Sequence, residues 1–344
     1  METALRPPHC LVVAPSWVGD TVMALPVLDA LAASERRVSV LARPHLHSLL
    51  RLSPAVSGLV ERSSSTAETI DRMLHGSFEE AILLPNSFRA AWLARRAGIP
   101  NRWGYRSDGR SLLLRPAVHR PPRSLHQLRD YDQLLQAMGV APVLSPPRLP
   151  LSPSAREQGR EALTTTGVTL GTKAPLIGLF PGAEFGPSKR WRLENFARTA
   201  VSLLQLPSGA QPILIAGPNE KTLADSILQL AARSFPLVGP DLDLAGLAGL
   251  LGQLDVLITN DSGPMHLAAA VGTPCVAIFG PTNPQRTSPG GPGHHVLSAA
   301  RWCSPCFRRR CPLLHHRCMK EISVSHVLEA TRKALTRPST GAIN

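Results

Sequence analysis

Short aliphatic runs recur along this chain, each ending in a loop of glycine, proline or polar residues and each followed by a helical period. LVVA (11–14) runs into Pro15-Ser16-Trp17-Val18-Gly19-Asp20 and then into residues 21–33, where Leu25, Leu28 and Leu31 share one helical face. RVSVLA (37–42), SGLVE (57–61) and EEAILLPN (79–86) read as further strands. Helices are predicted over 46–52, 67–75, 87–97 and 125–138, and IPNRWGYR (99–106) as a loop or short strand. After APVLSPPRLPLSPS (141–154), which packs five prolines into a stiff, extended span, and a predicted helix over 155–165, the alternation restarts. PLIGLF, QPILI, DVLITN and CVAIF each read as a strand entering a loop, with helices over 191–204, 221–232, 244–251, 264–270 and 325–335. Strands alternating with helices build βαβ units on a parallel sheet. The expectation is an α/β protein of two tandem Rossmann-like, doubly wound domains, 1–153 and 154–344, with ligands beyond the carboxyl ends of the strands and in the cleft between the domains.

Composition narrows the classes. The chain has 344 residues, 43% of them hydrophobic, which suits two domains with a core each. No run of eighteen apolar residues occurs, and no basic segment leads into an apolar one at the N-terminus, so a cytoplasmic location is expected. The net charge of +13 favours anionic partners: nucleic acid, an anionic membrane surface or a phosphorylated substrate. Aromatic residues are only 4% of the chain, which argues against nucleic acid held on stacking platforms. The basic residues fall in clusters such as Arg36-Arg37, Arg95-Arg96 and Arg308-Arg309-Arg310, a pattern that an arginine-rich surface without a partner also produces.

The loops at the strand ends carry the chemistry. FPGAEFGPSKRW (180–191) offers Ser188, Lys189 and Arg190 near a helix start, which suits a diphosphate. IAGPNE (215–220) places Asn219 and Glu220 where an acid binds ribose hydroxyls in nucleotide folds. ITNDSGPMHLAAA (258–270) brings Asp261, Ser262, Gly263 and His266 to a helix N-terminus. Each residue has an ordinary reading beside this one: Asp261 or Ser262 as a helix cap, Glu220 as surface, His266 as packing. Three such loops in one half together point to a nucleotide-diphosphate site. The redox dinucleotide fingerprint and the P-loop pattern are both missing from the strand ends, which disfavours those two classes. Asp20 likewise has two readings: a cap for the helix expected from Thr21, or a carboxylate facing a reaction.

PSWVGD after the first strand, LLPNSFRAAWLARRAGIPNRWGYR, FPGAEFGPSKRW and TNDSGPMHLAAA, in this order, resemble the lipopolysaccharide heptosyltransferases over residues 10–336. The resemblance implies the two-Rossmann-domain GT-B architecture and an inverting, metal-independent transfer. The heptose, L-glycero-D-manno-heptose, would move from ADP-heptose to the first heptose of the lipopolysaccharide inner core, on heptosyl-Kdo-lipid A. By the resemblance Asp20 is the general base, and Ser188, Lys189, Glu220 (or Asn219), Asp261, Ser262, Gly263 and His266 hold the donor. Asn86, Ser87, Arg89, Arg106 and Arg120 would face the acceptor. A carboxylate near its reference pKa of about 4 is charged at neutral pH and ready to accept a proton. The implied location is the cytoplasm, at the periphery of the anionic inner membrane. The Asp241-Leu242-Asp243 triplet leads into a helix and reads as capping, not as a metal site. Other readings remain open: a sister heptosyltransferase with another acceptor, a sugar-nucleotide 2-epimerase, and a non-catalytic polyanion binder.

One segment lies outside that pattern. RWCSPCFRRRCPLLHHRCMK (301–320) holds Cys303, Cys306, Cys311 and Cys318 within sixteen residues, opened by C-x-x-C. Structural zinc, free thiols and disulfides are its three readings. Cys10 and Cys275 sit in apolar surroundings and read as core.

Overall fold

The computed structural model describes residues 7–122, 124–142, 145–207 and 209–336. Arg123 of the basic RPPR segment, and Val143 and Leu144 of the proline-rich segment, lie outside them. The chain forms two compact units, residues 1–149 and 150–344. The expected border stood four residues later; Ser152 and Pro153 instead start the helix Pro153–Thr164, whose first N–H groups include one capped by the Ser152 hydroxyl.

In the first unit, β1 (His9–Val13), β2 (Arg37–Ala42), β3 (Gly58–Glu61), β4 (Glu80–Leu83), β5 (Asn101–Tyr105) and β6 (Ala117–Val118) form one sheet of order β3-β2-β1-β4-β5-β6. In the second, β7 (Leu176–Phe180), β8 (Gln211–Ile215), β9 (Leu237–Val238), β10 (Val256–Asn260), β11 (Cys275–Phe279) and β12 (His295–Ser298) are ordered β12-β11-β10-β7-β8-β9. All named pairings are parallel. Each sheet therefore follows the doubly wound order, in which the first strand lies between the second and the fourth. The order reverses between β1 and β4, and again between β7 and β10, and such reversal points open a crevice at the carboxyl ends of the strands. β7, β10 and β11 are buried along their whole length, as strands covered on both faces must be. Each unit has its own apolar core: Leu11, Leu41, Leu83 and Leu93 in the first, Leu179, Trp191, Phe196 and Ile258 in the second. Cys10 and Cys275 are fully buried.

Two differences from the sequence reading matter for the site. The helix expected over 21–33 is two helices, Val18–Met23 and Leu25–Ala33. Pro26 has no N–H to give to Val22, so the ladder breaks at Ala24. Asp20 thus lies inside the first turn, and its N-cap position belongs to Trp17, which provides no side-chain cap. The helix expected over 125–138 begins instead with a 3-10 segment, Gln127–Tyr131, followed by the α-helix Asp132–Ala137.

Candidate functional site

At the reversal point of the first sheet, the PSWVGD loop leaves β1 and presents a half-buried Asp20. The Gln127 amide donates to Asp20 Oδ1 at 2.7 Å. Gln127 also hydrogen-bonds the hydroxyl of the buried Tyr131. Burial pushes the Tyr131 pKa up, and the charges of Asp20 and Asp130 push it further, so this phenol stays neutral. Asp20 is therefore oriented by an uncharged neighbour that the sequence reading did not single out. It does not act as the cap of a helix starting at Thr21.

The loop after β4 is fixed by another residue without a motif. Arg110 is fully buried and donates to the carbonyls of Tyr105 (2.9 Å), Pro85 (2.5 Å) and Ser87 (3.3 Å) and to Asn86 Oδ1 (3.2 Å). Burial draws its guanidinium down to about 10. Asn86 and Ser87, expected to face an acceptor, are thereby tied into the loop: the Asn86 side chain accepts from Arg110, and Ser87 caps the helix Phe88–Arg96. Arg120 is paired with Asp130 at 4.0 Å. Arg106 is exposed; its N–H bonds the Val118 carbonyl and its side chain the Ala117 carbonyl.

Arg89 is exposed, bonds Thr66 and belongs to a wider group. Arg62 follows β3, donates to the Ser16 hydroxyl at 3.3 Å, and its amide bonds the Ala42 carbonyl beside Arg43. Burial, then the Arg89 and Arg43 charges, lower the Arg62 pKa, so Arg62 lies within the field of both other guanidiniums. The acids nearby, Glu61 and Glu68, are taken by Arg72. None of Arg43, Arg62 and Arg89 has a carboxylate partner among the described residues. A cation cluster of this kind attracts anions. Arg43 and Arg62 carried no sequence signal beyond their place at the ends of β2 and β3.

In the second unit the groups expected to hold the donor gather at the ends of β7, β8 and β10. Lys189 Nζ lies 2.5 Å from Asp261 Oδ2, and the Thr282 hydroxyl, in the loop after β11, donates to the same oxygen at 2.6 Å. Oδ1 of Asp261 carries no partner among the described residues. Asn260 is buried and staples the two central loops: its amide donates to the Pro181 and Gly182 carbonyls and its oxygen accepts from the Trp191 N–H. Glu220 turns in toward the β7 loop, so close that a Cβ on Gly182 would meet Glu220 Oε1 at 1.9 Å. Asn219 is exposed, which favours Glu220 of the two. Burial raises the Glu220 pKa more than the Gly217 N–H and the Arg190 charge lower it. Arg190 Nε is buried with no hydrogen-bond partner, an N–H that awaits an acceptor. Ser262 takes the N-cap position of the helix Gly263–Ala270, yet its hydroxyl meets that of Thr259 instead of capping, so the helix start has no side-chain cap. His266 is buried on this helix.

Ser188 departs from expectation. It is buried, its hydroxyl donates to the Arg308 carbonyl at 2.5 Å, and its own carbonyl contacts His316 Nε2 at 2.7 Å. It fastens the cysteine segment to the donor loop and is not placed to donate to a phosphate. Asp243 caps the helix Leu244–Leu251 through Gly246 N–H at 2.8 Å, as read from sequence. The four clustered cysteines are free thiols lining one cavity of about 40 Å³ together with His315 and His316. Their donor chemistry suits zinc. Among the described residues no group of three or more His, Cys, Asp or Glu side chains is set to hold a metal ion.

Comparison with known proteins bears on the family and the fold. The family model for glycosyltransferase family 9 (heptosyltransferase) matches residues 68–316. The chain is 30% identical over 305 residues to lipooligosaccharide heptosyltransferase 2 of Haemophilus influenzae, covering 82% of this chain and 86% of the relative. It is 31% identical over 303 residues to lipopolysaccharide heptosyltransferase 2 of Escherichia coli, covering 81% and 84%. The solved structure of the E. coli ADP-heptose lipopolysaccharide heptosyltransferase II superposes with a TM-score of 0.80 at 26% identity, over 95% of this chain and 98% of that one. The two sheets of doubly wound order thus belong to a known architecture, and this chain is a member of glycosyltransferase family 9, the heptosyltransferases.

Proposed function

We propose that this chain moves L-glycero-D-manno-heptose from ADP-heptose to the first heptose of the lipopolysaccharide inner core, inverting the anomeric carbon. The observation that carries the reading is Asp20, a carboxylate aimed by Gln127 at the reversal point of the first sheet. An acceptor hydroxyl attacks the anomeric carbon while Asp20 takes its proton. The bond from that carbon to the β-phosphate oxygen breaks, and its electron pair leaves with ADP. A single displacement inverts the centre and needs one base only.

The leaving diphosphate needs charge stabilisation and not a proton. Lys189, the buried Arg190 N–H and the uncapped helix start after Ser262 supply it. The unpartnered Oδ1 of Asp261 accepts from heptose hydroxyls, held in aim by Lys189 and Thr282 on the other oxygen. Glu220 accepts from ribose hydroxyls. On the acceptor side, the Arg43, Arg62 and Arg89 cluster takes a phosphate or carboxylate of the phosphorylated glycolipid, with Arg106 at the exposed end of β5. The site of action is the cytoplasmic face of the inner membrane, which the chain meets peripherally. No helix among the described residues is long and apolar enough to cross a membrane. The 2-epimerase reading draws no support from the family or from the two relatives above, all of which are transferases.

The test is mass-spectrometric detection of heptose transfer from ADP-heptose to a panel of truncated lipid A acceptors. Asp20→Asn should lower transfer by about 10²- to 10⁴-fold, the usual worth of a general base, while ADP binding is retained. Transfer by that variant within tenfold of the wild type would remove Asp20 as the base.

A further inference from the structure

The cysteine segment carries a surface that the transfer chemistry does not use. From 262 to 320 the chain contains no acidic residue, and within 301–320 it carries Arg301, Arg308, Arg309, Arg310, Arg317 and Lys320. Among the described residues only Arg301 has a carboxylate partner, Glu321. Interleaved with these cations are four large apolar side chains left in solvent: Trp302 (87% exposed), Phe307 (55%), Leu313 (45%) and Leu314 (87%). The segment is nonetheless folded. Its thiols line one cavity, the Phe307 N–H bonds the Pro281 carbonyl at 2.8 Å, and the Arg308 carbonyl and His316 hydrogen-bond across to Ser188 of the donor loop.

Phe307 and Leu314 are held at φ of 53° and 56°, in the left-handed region that bulky residues rarely enter. The backbone is thus bent, at a cost, in a way that leaves apolar side chains in water. Such a cost persists at surfaces that serve a function. Charge decides what covers this one. A protein groove would cover apolar groups without needing five cations that lack a carboxylate partner. A soluble polyanion would meet the cations and leave the apolar groups wet. An anionic bilayer takes both: guanidiniums at the headgroups, Trp and Leu at the acyl boundary.

We infer that the 301–317 knob is the element by which this protein docks on an anionic phospholipid surface. This rests on the proposed lipid-borne acceptor only for its purpose; the binding itself can be measured without any reaction. Because Arg309 stacks on Phe185 at 5.7 Å and the Arg308 and Arg309 carbonyls bond Ser188, docking would bring the donor loop to the bilayer surface.

The probe is co-sedimentation of the full chain with vesicles of phosphatidylcholine alone or mixed with phosphatidylglycerol. Wild type should bind the anionic vesicles, weakly at high salt, and leave the neutral ones. Arg308→Ser/Arg310→Ser should weaken binding by roughly thirtyfold, at about fivefold per cation lost from the surface. Trp302→Ser/Leu314→Ser should weaken it by at least about tenfold, as expected for two apolar anchors. All four side chains are exposed, so melting temperatures should not move. Arg156→Ser/Arg198→Ser, which removes two exposed cations elsewhere in the same unit, is the charge control and should bind as wild type. Equal loss in the control, or undiminished binding by both knob variants, would overturn the proposal. Transfer to a deacylated, soluble acceptor should be unchanged in the knob variants. If the wild type itself fails that assay, the transferase reading falls and the vesicle result still stands on its own.

Discussion

Lys189 and Asp261 are 14% and 5% exposed, so each is the other's main compensation in a place with little water. Removing one partner of such a pair leaves a buried charge and costs about 3–5 kcal/mol. Lys189→Met should therefore lower unfolding stability by about 3 kcal/mol, since Thr282 still donates to Asp261, and should also abolish transfer. Adding Asp261→Asn should restore most of the stability and none of the activity. Urea denaturation of the two variants separates the roles; a stability-neutral Lys189→Met would mean that the pair is open in solution. Glu220 gives the pH counterpart. Its folded-state pKa is raised, so the folded chain holds that proton more tightly than the unfolded chain does. The contribution is full below the unfolded value near 4.5 and is lost as pH rises through the folded one. Glu220→Gln should thus melt higher than wild type at pH 7, with the difference closing toward pH 4, while its affinity for ADP falls. A variant that melts lower at pH 7 would show that the carboxylate is well solvated.

The strands and most helices were legible because burial imposes a period, and β2 and the helix Leu244–Leu251 lie where the pattern put them. β6, β9 and β12 were missed: with two to four residues each, they are too short to show alternation. Lys189, Glu220 and Asp261 were legible from their place after strands. Gln127, Arg110 and Thr282 were not, because an ordinary polar residue acquires its role only from what the fold sets against it. Thr282 at least stood in the GPTNP loop after a predicted strand. Helix contacts were the most hidden. Helices Pro153–Thr164 and Leu244–Leu251 touch through Gly159 and Gly249, and glycine has no hydrophobic signature. A Cβ on Gly249 would lie 1.7 Å from the Ala155 carbonyl oxygen. That neighbour is backbone and cannot swing aside, so the helices must part. Gly249→Ala should cost at least the roughly 1–3 kcal/mol of an overpacked core, read as a lower midpoint in urea. A variant as stable as wild type would mean that the two helices separate freely.

Each half of the molecule carries what a domain needs. The sheets repeat one strand order, each beside its own apolar cluster, and the proline-rich span joins them. The proposed donor groups Lys189, Arg190, Glu220, Asp261 and Thr282 all belong to the second half, whereas Asp20, Gln127 and the Arg43, Arg62 and Arg89 cluster belong to the first. On the proposed roles, binding of the nucleotide and activation of the acceptor fall to separately built pieces, which makes them separable by experiment. Residues 150–344 produced alone should unfold in one cooperative step and bind ADP within a few-fold of the whole chain by calorimetry. They should transfer nothing, because the proposed base has gone with the other half. A fragment that melts cooperatively but does not bind ADP would place part of the nucleotide site on the first half, and would leave the second half's charged cluster needing a different ligand.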